Sequence, residues 1–150
     1  MKKWIALILA LVAVLTLAAC GETTFTRPLQ IEDWGEAEGY NGKILGLWYN
    51  IQENAGDETV FGFEAGGIAC YAASVDAKEA YAEFYTVDEE NKTVSFYEYN
   101  EGEKGKLLDT AQIVEDGDVI YLIGEGIALA READLEAARA AYPELAKPAK

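Results

Sequence analysis

Apolar and polar residues alternate with a period of two from about residue 43 onward. Short segments rich in Val, Ile, Phe and Tyr are separated by Gly, Asp and Asn, which is typical of β-strands joined by turns. They predict about eight strands: KILGLWYNIQ, ETVFGFEA, GIACYAAS, AYAEFYTV, KTVSFYEY, TAQIVE, DVIYLIG and GIALAR. Because the connections between them are short, neighbouring strands should be antiparallel. We therefore predict a mainly β fold, either a small antiparallel up-and-down barrel or a rolled sheet.

Two segments have the composition of helices. Residues 132–141 are rich in Ala, Glu and Arg and end before a proline, so they predict a short C-terminal helix. Its narrow apolar stripe would consist of Leu135, Ala138 and Tyr142. Such a helix either docks weakly on the sheet or binds a partner. Residues 76–79 fit a capping box and predict one helical turn before the next strand.

The first nineteen residues differ from the rest of the chain. Two lysines precede residues 4–19, whose only polar member is Thr16, as in the charged and apolar regions of a signal peptide. A transmembrane helix is the alternative. At about 1.5 Å per residue, however, this segment falls short of the roughly 30 Å hydrocarbon core, and no basic cluster follows it. The pattern favours a cleaved signal.

The apolar run ends on a cysteine. Leu17-Ala18-Ala19-Cys20 resembles the lipobox of bacterial lipoproteins, in which small residues precede a cysteine that is acylated and becomes the mature N-terminus. The resemblance implies that Cys20 is lipidated and that the protein is extracytoplasmic, anchored to the bacterial cell membrane. A soluble secreted protein is the alternative. Two or more acyl chains give stable anchoring, whereas one chain gives only marginal binding.

These features divide the chain into four parts. They are the signal peptide 1–19, the lipidated cysteine and tether 20–42, the β domain 43–131, and the C-terminal helix and tail 132–150. The tether is mostly polar, but it contains Phe25, Leu29, Ile31 and Trp34. It is therefore either a flexible spacer or a segment that packs in part along the domain.

The chain is strongly acidic. Its formal net charge is −15, and removal of the signal takes away two of the twelve basic residues. Such a charge repels nucleic acid and anionic headgroups, so we expect no nucleic-acid partner and membrane contact only through the lipid. The acidic residues suit an ordinary solvated surface, and the alternative is attraction of a basic partner or of loosely held cations.

Several short motifs carry a family resemblance. They are GLW at 46–48, residues 61–71 with their Gly-Gly turn, YTV at 85–87, VSF at 94–96, EDGD at 115–118 and IALAR at 127–131. In order and spacing they resemble the small lipocalin-like domains of bacterial lipoproteins. The resemblance implies that Trp48 and Arg131 close one end of a barrel, with the guanidinium over the indole. Glu83 departs from the pattern, because an apolar residue is more usual there, and a roomy cavity is not expected.

Aromatic residues decide what the barrel can hold. An eight-stranded barrel either is filled by its own side chains or holds one small ligand, and nine tyrosines and five phenylalanines favour filling. If Tyr85 and Phe96 point inward together with Val87 and Val94, the period of two sends three aromatic residues outward. These are Phe84, Tyr97 and Tyr99. They form either an interaction surface or cross-strand packing under the C-terminal helix or the tether.

Residue types exclude most catalytic classes. The chain has no histidine, which excludes Ser-His and Cys-His catalysis and any zinc site that needs histidine. Cys70 lies in an apolar run without a nearby base, as a buried structural cysteine does. Acidic residues are abundant, but no two are marked as sharing a cleft, and no loop matches an EF-hand. We predict no enzyme, no catalytic residues, no metal and no cofactor.

Three functional hypotheses remain after these exclusions. The first is a lipid-anchored, non-catalytic binding or interaction module that presents a surface to another envelope protein or a polymer. The second is a carrier of a small apolar ligand inside the barrel, and the third, least supported, is a carboxylate-dependent hydrolase. A carrier needs a connected apolar cavity, and a hydrolase needs two facing acids, one of them with a raised pKa.

Overall fold

The computed structural model describes residues 24–25, 29, 33–54 and 56–145 of the chain. The strands are β1 (Thr24–Phe25), β2 (Gly46–Asn50), β3 (Val60–Phe63), β4 (Ile68–Ala72), β5 (Ala80–Asp88), β6 (Thr93–Asn100), β7 (Glu103–Asp116), β8 (Val119–Ile123) and β9 (Ala128–Ala130). The helices are α1 (Gly39–Lys43) and α2 (Leu135–Ala141), and a 3-10 turn over Glu132–Asp134 leads into α2.

Strands β2 to β9 form a closed barrel of eight antiparallel strands. Each pairs with the next along the chain, and β9 returns to β2 with Tyr49 opposite Ala130. The prediction of an up-and-down barrel with a short C-terminal helix is therefore confirmed. Strand β1 lies outside this ring and pairs with the start of β5, with Thr24 opposite Tyr81.

Strand β7 is longer than the sequence pattern predicts. The pattern places a strand only over TAQIVE, because the preceding residues are mostly charged and have low β-propensity. In the structure β7 already starts at Glu103, after a tight hairpin in which Glu101 and Gly102 have φ values of 50° and 92°. Positive φ at both central residues belongs to a type I′ turn, which matches the twist of the two strands. The register shifts opposite Tyr97, so β7 bulges there.

The predicted helical turn at 76–79 is wrong. The segment is an irregular connection in which the amide of Ala77 donates to the carbonyl of Ser74 at 3.2 Å. Strand β4 ends at Ala72 and β5 begins at Ala80, and the seven residues between them form turns and bends, because a capping-box composition alone does not offset the cost of nucleating a helix.

The described part of 20–42 packs against the barrel. Leu29 is 2% exposed, and the indole of Trp34 lies so close to Gly62 that a Cβ there would come within 2.5 Å of it. Residues 39–43 form α1, which the sequence pattern does not reveal. The barrel therefore carries packed structure before residue 43.

The barrel interior is filled mainly by aromatic and branched side chains. Its fully buried members include Trp48, Phe63, Phe96, Val94, Ile44, Leu122 and Leu129. The predicted inward direction of Tyr85, Val87, Val94 and Phe96 agrees with this cluster, in which all four take part. Close packing of large rings leaves little room for a ligand in the middle of the barrel.

Two smaller apolar clusters lie outside the barrel wall. One contains Leu29, Val60 and Cys70 on the faces of β3 and β4. The other lies between α2 and strands β8 and β9, where Tyr121 meets Tyr142 edge-on with ring centroids 5.7 Å apart. Helix α2 therefore docks on the barrel through Leu135, Ala138 and Tyr142. Among the residues that the structure describes, no helix is long and apolar enough to span a bilayer.

Candidate functional site

Trp48 and Arg131 meet at one end of the barrel, which we name the closed end. The guanidinium carbon of Arg131 lies 4.3 Å from the centroid of the Trp48 ring. The guanidinium also donates to the carbonyls of Leu47 at 2.9 Å, Leu45 at 2.8 Å and Lys43 at 3.0 Å. Burial lowers the pKa of Arg131. The side chain thus joins the end of the last strand to the segment that enters the first strand of the barrel ring.

Helix α1 covers the same end of the barrel. The indole of Trp48 donates to the carbonyl of Ile44 at 2.7 Å, just after this helix. The carboxylate of Glu115 accepts hydrogen bonds from the ammonium of Lys92 at 3.0 Å and from the hydroxyl of Tyr40 at 2.9 Å. These two donors hold the pKa of Glu115 below its usual value, and the hydrogen bond from Lys92 has the larger effect. The side chains of Arg131, Glu115 and Lys92 thus have partners within the closed end, which points to a structural role, whereas Oδ1 of Asn41 in α1 is buried without a hydrogen-bond partner among the described residues.

Phe84, Tyr97 and Tyr99 lie together on the outer face of β5 and β6. Phe84 stands opposite Tyr97 in register and stacks on Tyr99 with ring centroids 5.0 Å apart. The ammonium of Lys104 lies 4.5 Å from the Tyr97 ring centroid. All three aromatic side chains are half-buried. Helix α2 contacts β8 and β9 instead, so it does not cover this group, which we name the aromatic strip.

A cavity of about 130 Å³ opens at the other end of the barrel, which we name the mouth. It is lined by Phe61, Glu83, Phe96, Leu108, Asp109, Gly126 and Ile127. Its rim is apolar, since Leu108 is 48% exposed. Next to it the rings of Phe61, Tyr71 and Tyr81 stack in a row, with centroid distances of 5.5 Å and 5.4 Å. The mouth therefore combines apolar and aromatic walls with two carboxylates.

Glu83 is the most perturbed acidic group of the mouth. Burial, together with the negative charge of Asp109, raises its pKa to about 7. Asp109 is held in place, because its carboxylate accepts the backbone N–H of Gly126 at 3.0 Å and of Thr110 at 2.8 Å. The side-chain carboxyl of Glu83 forms no hydrogen bond with the part of the chain that the structure describes.

Sequence reasoning missed the pairing of Glu83 with Asp109. The period of two in β5 indicates that Glu83 shares the inward face with Tyr85. Asp109 lies just before the predicted strand TAQIVE; it pairs with Phe96 and continues the inward alternation of Ile113 and Ala111, so a strand one residue longer places it on the inner face. A local pattern indicates the inner face for each acid, but not that Glu83 of β5 and Asp109 of β7, with β6 between them, line one cavity.

The mouth gives the stability a measurable pH dependence. The folded state holds the Glu83 proton more tightly than the unfolded chain, so the free energy of unfolding should fall as the pH rises from about 4.5 to about 7. Glu83→Gln should remove about 2 kcal/mol of this fall. Urea unfolding across this pH range measures the slope. Glu90→Gln, on the exposed turn between β5 and β6, should keep the wild-type slope, and an unchanged slope in Glu83→Gln would contradict the assignment.

The two cysteines and the possible metal ligands are the remaining features singled out in the sequence. Cys20, the predicted lipidation site, lies outside the described residues. Cys70 is 3% exposed in the cluster on β3 and β4, with its Sγ 3.8 Å from Glu64 Oε1. Over residues 33–54 and 56–145, no three acidic or cysteine side chains gather as a metal site would require.

Comparison of the chain with protein-family models, with curated proteins and with solved structures finds no match. The fold and the geometry of the three regions above are therefore the basis for any functional proposal.

Proposed function

We propose that this protein is a lipid-anchored, non-catalytic binding module of the bacterial cell envelope, which presents its outer face to another envelope protein or a polymer. The observation that carries the proposal is the filled barrel interior, with Trp48, Phe63 and Phe96 almost fully buried. A barrel filled in this way cannot take a ligand of ordinary size inside, so recognition falls to its surfaces.

The aromatic strip is the surface best suited to a macromolecular partner. Phe84 and Tyr99 are stacked, and Tyr97 adds a ring on the same face. Leu107, opposite Tyr97 on β7, is 57% exposed and extends the apolar area. Tyrosine at such a face offers a rigid apolar ring and a hydroxyl that can donate, which is why it is common at the energetic centres of interfaces.

The proposed localisation of the protein rests on its N-terminal sequence. Two lysines, the apolar residues 4–19 and the lipobox-like ending at Cys20 support export and acylation. The acidic character of the chain, with a net charge of −15, supports attachment through the lipid rather than through the protein surface, because anionic headgroups repel it.

The two other hypotheses have less support. A carrier would need a cavity of a few hundred Å³, and the mouth offers about 130 Å³. A hydrolase gains one observation, since Glu83 and Asp109 line one cavity and burial raises the pKa of Glu83 to about 7. The cavity of about 130 Å³ is smaller than the several hundred Å³ of an ordinary ligand pocket, so it would enclose little of a substrate.

One experiment in bacteria tests both the anchor and the strip. Cells express the full chain and are fed an alkyne-labelled fatty acid, and the membrane and soluble fractions are then compared. We expect label and membrane location for the wild type, and neither for Cys20→Ser. Label and membrane retention in Cys20→Ser would contradict lipid anchoring through this cysteine.

The same membranes test the aromatic strip by crosslinking and purification. A triple variant, with Ser in place of Phe84, Tyr97 and Tyr99, should capture a specific partner at least tenfold less than the wild type does. The barrel should stay folded, because these side chains face outward. The matched control replaces Thr86, Ser95 and Thr110 by Ala, on the outer faces of β5, β6 and β7. Equal capture by both variants would remove the strip as the binding surface.

A further inference from the structure

The residues that line the mouth of the barrel take no part in the proposed binding of a macromolecule to the outer face. Glu83 points inward while its neighbour Phe84 points outward, so the cavity and the aromatic strip lie on opposite faces of the same strand. The cavity therefore requires an explanation of its own.

A buried carboxyl in an apolar cavity is costly unless it has a partner. The side chain of Glu83 lines the cavity together with Phe61 and Phe96, and its carboxyl forms no hydrogen bond with the described residues. Asp109, by contrast, is fixed by backbone N–H groups and adds a second negative charge that faces the same space. A positively charged occupant would satisfy Glu83 and also neutralise the repulsion between the two acids.

The walls indicate which kind of cation fits. Phenylalanine faces attract organic ammonium groups and pack against methylene groups, whereas a metal ion requires several oxygen ligands. Around the mouth and across the rest of the described chain no cluster of three or more such ligands occurs. The volume of about 130 Å³ lies below the several hundred Å³ of an ordinary ligand pocket, which suits a short alkyl chain with one ammonium group.

We propose that the mouth binds the end of an alkylammonium chain, with the ammonium group between Glu83 and Asp109 and the methylene groups against Phe61, Phe96 and Leu108. This site goes beyond the proposed function, because it is separate from the aromatic strip and recognises a small cation. The acidic charge of the whole chain increases the local concentration of such cations.

Binding should depend on pH through the ionisation of Glu83. The charged groups that face it are Asp109 from β7 and Glu98, its register partner on β6, whose carboxylate accepts the N–H of Lys106 at 3.3 Å. From β4 the direct partner is Ala69, and the rings of Tyr71 and Tyr81 stack in a row with Phe61 of the cavity wall. Affinity for an ammonium group should therefore rise about tenfold per pH unit below about 7 and level off above it.

The test uses the full chain in detergent micelles and n-butylamine as the probe, with calorimetry and backbone amide NMR shifts as readouts. We expect a Kd of about 1 mM at pH 8, with shifts confined to the mouth, since the probe has few atoms to contribute. 1-Butanol, its neutral analogue, should bind at least tenfold more weakly. Equal binding of the amine and the alcohol would overturn the proposal, because it would show an apolar cavity without cation recognition.

Variants separate this site from other acidic positions. Glu83→Gln should weaken n-butylamine binding at least tenfold and abolish its pH dependence, whereas Glu90→Gln, exposed at the closed end, should bind as the wild type does. If Glu83→Gln does not fold, the wild type still decides the matter. The NMR-measured pKa of Glu83 must fall when the amine binds, and an unchanged pKa would overturn the proposal.

Two further probes identify the natural source of the ammonium group. Putrescine represents a free polyamine, and Nα-acetyl-lysine methylamide represents a lysine side chain of a peptide. The probe that binds with the lower Kd identifies the source. If neither probe binds while n-butylamine does, the site is restricted to simple amines. The triple Ser variant of the aromatic strip should bind n-butylamine normally, so a failure at the mouth and a failure at the strip are distinguishable.

Discussion

Arg131→Ala should destabilise the barrel by about 4 kcal/mol, one of the two largest single-residue effects that we expect in this protein. The guanidinium donates to the carbonyls of Lys43, Leu45 and Leu47 and lies over the Trp48 ring. Hydrogen bonds to a charged donor are each worth about 1.5–3 kcal/mol, and a partly desolvated cation–π contact adds about 1–2 kcal/mol. The sum is not additive, because the carbonyls that lose their donor can in part be hydrated.

Two control variants show which property of Arg131 matters. Arg131→Lys keeps the charge but cannot reach three carbonyls at once, so we expect about half the loss. Arg139→Ala removes the same kind of side chain from α2, where it pairs with the largely buried Glu58 at 2.7 Å and donates to the carbonyl of Glu53 at 3.2 Å, and should cost about 2 kcal/mol. Urea unfolding measures all three variants. A loss for Arg131→Ala no larger than that for Arg139→Ala would show that the closed end does not depend on this contact.

The sequence predicted the barrel because its strands obey simple rules. The strands β2 to β6 carry β-branched and aromatic residues at alternate positions, and short turns force antiparallel pairing. The C-terminal helix was predicted from composition and from the proline that follows it. These signals are local, so one sequence suffices to detect them.

Features that depend on distant contacts could not be predicted. Helix α1 is five residues long and begins with Gly39, so no propensity marks it. It is held by the carboxylate of Glu89, which accepts the amides of Tyr40 at 3.0 Å and Asn41 at 3.2 Å from a turn far along the chain. The packing of Trp34 on Gly62 likewise needs a strand position without a side chain, which a local pattern cannot distinguish from an ordinary strand glycine.

The candidate sites divide in the same way. The outward direction of Phe84, Tyr97 and Tyr99 follows from the period of two alone. The mouth required the structure, because Glu83 and Asp109 lie on strands that are not adjacent and because the bulge of β7 falls at Leu108, which also lines the cavity. Irregular strands move side chains between faces, and a sequence does not reveal where the irregularity falls.

Phe63→Ala should destabilise the protein by about 4 kcal/mol, since Phe63 is the centre of the interior packing. Its ring is fully buried and meets Trp48, Tyr85 and Phe96 edge-on, with centroid distances of 6.4 Å, 5.1 Å and 5.9 Å. Truncation of a buried phenylalanine costs about 3–5 kcal/mol, because apolar burial is lost and a cavity remains. Urea unfolding and the near-ultraviolet circular dichroism of the interior rings measure the effect.

Phe84→Ala is the matched control, because it removes the same kind of side chain from the outer face of β5. It loses mainly the stacking on Tyr99 and should cost about 1 kcal/mol.

The space left in Phe63→Ala also tests the carrier hypothesis, because an apolar cavity in a protein core can stay dry and bind benzene. Benzene should therefore raise the thermal stability of Phe63→Ala and leave the wild type unchanged. A wild-type protein that benzene stabilises equally would contain an open apolar cavity already, and the surface-binding proposal would lose its main support.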